Sequence, residues 1–187
     1  MSSNPEFTPG GLRLRVINEE VLYADAPLST FSREDIGWLE SRAAKTSRRR
    51  IRICTHLDSG DLLHEMLIVH TRETYVRPHK HLSKCESFHV ITGEVDVVLF
   101  EEDGTVCQAI SMGEHASGKR FYYRLNEPRY HTLLIRSEVL VFHEITTGPF
   151  RREDTVFAPW APEEGQLDLR REFLARVERE AARFVTS

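Results

Sequence analysis

The sequence predicts an all-β fold, an antiparallel sandwich or small barrel with one helix at each end. From Ile51 onward the apolar period is close to two, in eight short segments rich in Val, Ile, Phe and Tyr: 51–56, 64–70, 86–92, 94–100, 106–110, 121–125, 132–136 and 138–145. Turn chemistry separates them, at Asp58-Ser59-Gly60, Thr92-Gly93, Asp103-Gly104, Gly113 and Ser117-Gly118. Helical runs between the strands, which a βαβ architecture requires, are absent.

Residues 1–11 read as a lead-in that ends in Gly10-Gly11, and 12–23 as an edge strand marked by Leu12, Leu14 and Val16. Ser32 caps a helix over about 32–47, with Glu34 and Asp35 in its first turn and Ile36, Leu39 and Ala43 on one face. The following Arg48-Arg49-Arg50 reads as a solvated helix end. After the barrel core, about 51–147, an irregular stretch leads to a helix over 166–185. Its apolar stripe is Leu167, Phe173, Leu174, Val177, Ala181 and Phe184, and it is expected to cover a sheet face or join a homodimer contact. Trp160 reads as a packed anchor rather than a pocket lid. One domain is expected over 1–187.

Composition narrows the function classes. The chain has 187 residues and a net charge of −4, which argues against a nucleic-acid partner held through its phosphates. No run approaches the roughly 20 apolar residues of a membrane helix, and residues 1–7 lack the pattern of a signal peptide. Three widely spaced cysteines suit reduced thiols in a cytoplasm.

The residues that carry chemistry begin at Arg77-Pro78-His79-Lys80-His81. In an extended strand His79 and His81 face the same side, with α-carbons roughly 6.8 Å apart. Two such imidazoles can converge on one cation at about 2.1 Å each. Glu86 opens the next strand and can return to the same interior, and His131, after Pro128-Arg129-Tyr130, can supply a fourth ligand. Three neutral imidazoles and a carboxylate suit one divalent transition metal, with Fe, Zn, Mn and Ni all compatible.

The run His79-x-His81-x4-Glu86-x6-Gly93 resembles the first motif of the cupins. Pro128-x2-His131 is similar to their second motif, without the glycine between its proline and histidine. More narrowly, residues 75–81, 84–88, 148–150 and 157–162 resemble the WbuC-type cupin-fold metalloproteins. The resemblance implies a double-stranded β-helix, the cupin jelly-roll barrel, with the metal inside. It also implies an association with bacterial surface-polysaccharide gene clusters.

Around the ligands, Arg77 shares their parity and either clamps a substrate anion or pairs internally with Glu144. Lys84 either reaches a substrate or is solvated. Glu144 is the nominee for a catalytic base or an orienting carboxylate, with a rim pair to arginine as the alternative. His56 reads as a satisfied polar residue, His89 as facing away from the metal, and Cys85 as no ligand. The functions compatible with this set are an enzyme using the metal as a Lewis acid on a small polar or carbohydrate-related ligand, an Fe(II) dioxygenase, and a non-catalytic binding or sensor module.

Overall fold

A computed structural model of the chain describes residues 6–185. Residues 1–5 of the expected lead-in lie outside it. The strands are β1 Glu6–Phe7, β2 Arg13–Val16, β3 Val21–Ala24, β4 Arg50–Cys54, β5 Leu63–Thr71, β6 His79–His81, β7 Glu86–Thr92, β8 Glu94–Phe100, β9 Val106–Gly113, β10 Tyr122–Leu125, β11 Tyr130–Ile135, β12 Val139–Thr147 and β13 Thr155–Phe157. The helices are α1 Arg33–Ala43 and α2 Leu167–Ala181.

Two sheets form, in the orders β1-β2-β3-β4-β5-β12-β7-β10 and β13-β6-β11-β8-β9. The inner parts of these orders, β5-β12-β7-β10 against β6-β11-β8-β9, are the two interleaved Greek keys of a jelly roll. The expected all-β jelly-roll barrel is therefore the observed one. Around it, β1–β4 widen one sheet and β13 widens the other.

Alternation along each strand sorts the side chains into three apolar layers. The interior holds Ile68, Phe88, Val90, Val97, Leu133 and Phe142, with Phe88 stacked on Phe142 at 4.2 Å between ring centroids. Outside the larger sheet, Leu39 and Ala43 of α1 pack on Ile51, Ile53, Leu67 and Val69. Outside the smaller sheet, Phe173, Val177 and Ala181 of α2 pack on Val98, Phe100, Ala109 and Leu134, so α2 covers a sheet face. The ends of its predicted stripe do not join in: Leu167 is 60% and Phe184 42% exposed.

The N-terminal region departs from the sequence reading. Residues 12–23 form a hairpin, β2 with β3, whose Leu14 and Leu22 are buried under α1. Part of the lead-in is a strand, β1, paired with β2. Its turn is tied to α1 by Asp35, whose carboxylate accepts from the Gly10 and Ser32 amides, each at 2.7 Å. Burial opposes that charge, but hydrogen bonds from Thr8, Ser32 and Gly10 bring the pKa down to about 2.

The Thr92-Gly93 turn between β7 and β8 requires its glycine. Gly93 has φ +93°, and a Cβ there would stand 2.3 Å from the Val139 carbonyl oxygen. Trp160 is a packed anchor, against Phe100, Tyr130 and Phe173, and its indole N–H donates to the Glu102 carbonyl at 3.0 Å. Among the described residues no helix is long and apolar enough to cross a membrane.

Phe142 is 1% exposed and at the centre of the interior layer. Phe142→Ala is expected to cost about 3–5 kcal/mol of unfolding free energy, read from urea denaturation.

Candidate metal centre

The smaller sheet delivers three histidines to one point. β6 is clamped on both edges: His79 pairs with His131 of β11 on one side and with Phe157 of β13 on the other. The Ala158 amide also donates to the Pro78 carbonyl at 2.9 Å, fixing the entry to β6. His79 and His81, two residues apart, therefore face inward beside His131, and their ligand atoms all lie within 4.8 Å of one another. Donors sharing one ion at about 2.1 Å stand at most roughly 4.2 Å apart, so small side-chain rotations bring the three onto a common ion.

Each imidazole is anchored by the nitrogen that does not face the others. His79 Nδ1 lies 2.9 Å from the Arg77 carbonyl and His131 Nδ1 lies 3.0 Å from the Arg129 carbonyl. A carbonyl only accepts, so Nδ1 carries a proton in both rings, and Nε2 is the atom turned toward the centre, with a free lone pair whenever the ring is neutral. His81 Nδ1 is held by the Thr155 hydroxyl at 3.2 Å. Outer hydrogen bonds of this kind fix tautomer and ring direction in metal-binding histidines.

Glu86 arrives from the larger sheet and closes the group. Its Oε2 is 3.3 Å from His81 Nε2 and its Oε1 is 3.5 Å from His131 Nε2. The Tyr123 hydroxyl donates to Oε1. Glu86 is 4% and His131 3% exposed. Of the four predicted ligands, His79, His81 and His131 form the close group, and Glu86 stands against His81 and His131.

The electrostatics of the metal-free cluster follow from this burial. Burial raises the Glu86 pKa, but the His131 charge and hydrogen bonds from His131, His81 and Tyr123 hold it well below the carboxylate range. Burial opposes a charged His131, yet the charge and hydrogen bond of Glu86 bring it up to about 9. Burial, then the neighbouring His131 and His81, lower His79 to about 3, so its imidazole is neutral. Burial and the Glu86 charge push the Tyr123 hydroxyl well above its usual value, which keeps it a donor. A proton on His131 balances the buried carboxylate in this state, where a divalent cation would balance it with charge to spare. The donor set therefore fits such a cation.

The cluster opens into a cavity of about 780 Å³ that Arg77, Lys84 and Glu144 all line. Burial and the adjacent Glu86 raise the Glu144 pKa to about 8. The internal pair between Arg77 and Glu144 does not form. Arg77 turns toward the C-terminal segment, with its guanidinium 5.2 Å from the Phe157 ring centroid and 4.0 Å from Glu163. Lys84 lies 4.9 Å from the Phe150 ring centroid and forms no ion pair among the described residues. Arg48 and Arg50 are not a solvated helix end: they pair with Glu20 and Glu164 at the cavity wall.

His56 is satisfied, with Nδ1 3.1 Å from the Glu65 carbonyl, and His89 is exposed on the opposite face. The sequence reading missed Tyr123 and Thr155. Tyr123 was legible in principle, since it alternates with Leu125 toward the interior. Thr155 was not, because three residues of strand in an irregular stretch leave no period.

Comparisons with known proteins add little to this geometry. A family model described as a domain of unknown function (DUF6016) matches residues 31–112, under half of the chain. No curated protein matches. Among solved structures, the L-ribose isomerase of Cellulomonas parahominis aligns at 13% identity over 62% of this chain and 72% of its own, with TM-score 0.48. A Shewanella oneidensis protein aligns at 11% over 95% and 90%, with TM-score 0.47. A variant of Bacillus subtilis oxalate decarboxylase aligns at 17% over 52% of this chain, with TM-score 0.43. The chain spans about a quarter of the length of that decarboxylase and of the Brassica napus 11S globulin it also matches. The strand order itself, not these likenesses, defines the jelly roll.

The shifted groups set a pH dependence for the metal-free protein. His131 is raised from 6.5 to about 9, so the folded state keeps a proton that the unfolded chain gives up, and stability falls as pH rises through that window. His79 is lowered from 6.5 to about 3, so stability also falls as pH drops from 6.5 toward 3. Thermal melts of chelated protein are expected to peak between these limbs, and His131→Gln to flatten the alkaline one. Binding of Zn²⁺ at pH 7.5 is expected to release about one proton, read by calorimetry in buffers of different ionisation enthalpy.

Proposed function

We propose that the chain is a metal-dependent enzyme of the WbuC-type cupins, acting on a small, polar, anionic and carbohydrate-related metabolite of bacterial surface-polysaccharide biosynthesis. The observation that carries this reading is the convergence of three imidazoles, each anchored through Nδ1, with a buried carboxylate against two of them. His79, His81, Glu86 and His131 would hold the ion. A divalent metal there acts as a Lewis acid toward a carbonyl or hydroxyl oxygen.

The chain's own residues supply the rest. Lys84 forms no ion pair among the described residues and Arg77 meets only Glu163, at 4.0 Å, so both cations at the cavity wall are suited to orient a substrate anion. Glu144 holds a proton near neutral pH beside the histidines, so it can give a proton to substrate oxygen or, once ionised, take one from carbon. That is the apparatus of an isomerase or epimerase. The segments behind the narrower resemblance border the cavity: Phe150 lies under Lys84 and Phe157 under Arg77. The same donor set also suits an Fe(II) dioxygenase, which oxygen uptake with candidate sugars would reveal.

Protein purified without added metal is expected to carry about one divalent ion per chain by elemental analysis, and His79→Ala and His81→Ala to lose it. In a thermal-shift screen of sugars and nucleotide sugars the metal-loaded protein should respond, and the absence of any response would contradict the substrate class. Glu144→Gln is expected to keep the metal and lose about 10²–10⁴-fold in turnover. Tight binding without conversion by the unaltered protein would instead support a binding module.

A further inference from the structure

The strands outside the jelly roll do more than cover it. β2, β3 and β4 extend the larger sheet, and one of their faces is an extension of the cavity wall. Register places Arg15 opposite Tyr23 and Tyr23 opposite Cys54, with Arg52 two residues along β4 on the same face. The alternate residues Leu14, Leu22, Ile51 and Ile53 are buried under α1, which fixes the direction of this set. Arg15, Tyr23 and Arg52 all line the cavity that contains the histidine cluster.

These two arginines differ from their neighbours. Arg13 pairs with Asp25, and Arg48 and Arg50 pair with Glu20 and Glu164. Among the described residues neither Arg15 nor Arg52 has a carboxylate within 4.0 Å, although Asp58 and Glu144 line the same cavity. Arg15 lies 4.6 Å from the centroid of the Tyr23 ring, which places a guanidinium beside the phenol. Arg15 also donates to the Leu57 carbonyl at 3.0 Å, and two guanidiniums without carboxylate partners on the face that carries the Tyr23 phenol form a site for a dianion, because a guanidinium fork can give parallel hydrogen bonds to an oxyanion. The β4 backbone is three strand spacings, roughly 14 Å, from that of β7, which carries Glu86. A phosphate held by Arg52 would share this cavity with the histidines of the facing sheet.

We propose that Arg15, Tyr23 and Arg52 form a second subsite in this cavity, which takes the phosphate group of a phosphorylated sugar whose other end faces His79, His81 and His131. The position of the sugar rests on the proposed function; the phosphate contact does not. The test separates the two by using chelated, metal-free protein and calorimetric titration with inorganic phosphate, glucose 6-phosphate, glucose and glucuronate.

Inorganic phosphate and glucose 6-phosphate are expected to bind, with glucose not binding and glucuronate weaker than glucose 6-phosphate. Arg52→Gln and Arg15→Gln should each weaken phosphate binding at least tenfold, while Arg52→Lys retains part of it. Arg72→Gln, at an exposed arginine outside the cavity, should leave inorganic phosphate binding unchanged. All variants are compared at matched circular dichroism and melting temperature; Arg15 and Arg52 make no ion pair whose loss would unfold the chain. Unchanged phosphate affinity in Arg52→Gln, or glucuronate binding as tightly as glucose 6-phosphate, would overturn the subsite. Loss of metal binding with the phosphate result intact would overturn the metal reading alone.

Discussion

A carboxylate sealed inside a closed sheet must be neutralised, and Glu86 is that carboxylate. Most of the polar architecture answers this one charge. His131 and His81 stand against its two oxygens, and Tyr123 donates to one of them. Glu144, close by, holds its proton because a second buried negative charge beside Glu86 would be too costly. Breaking one partner would leave an unbalanced charge in low dielectric, so the group is a single electrostatic unit.

The fold makes room for that unit in its interior. Phe88, Phe142 and Val90 belong to the apolar interior, and Phe88 and Phe142 also line the cavity that the histidines, Glu86 and Glu144 share. α1 and the β2–β3 hairpin bury the outer face of β4 and β5, so the inner face of β4 can present Arg50 and Arg52 without losing the strand's packing. At the mouth, the C-terminal segment contributes Phe157 to the cavity and Thr155 as the anchor of His81. The strands outside the jelly roll are thus coupled to the site as closely as those within it.

Strand parity made much of this legible. His79, His81 and Glu86 needed only the period of two, and the hairpin at Thr92-Gly93 needed only its turn chemistry, which the Val139 carbonyl makes obligatory. Partnerships across long stretches of chain were not legible. Arg48 meets Glu164, 116 residues away, and Arg77 passes over Glu144 for the C-terminal segment. No local pattern encodes which of several carboxylates a guanidinium will face. Short strands escaped for a related reason: β1 and β13 exist because a neighbouring edge offers hydrogen bonds, not because their own residues repeat.

The central claim is that the three imidazoles and Glu86 share one ion. X-ray absorption at the metal edge of protein loaded with one equivalent of Zn²⁺ tests it most directly. The geometry predicts three imidazole nitrogens and a carboxylate oxygen at about 2.0–2.2 Å, with the outer-ring scattering of histidine. A spectrum of oxygen neighbours alone, or one unaltered by removing His79 and His131 together, would contradict it.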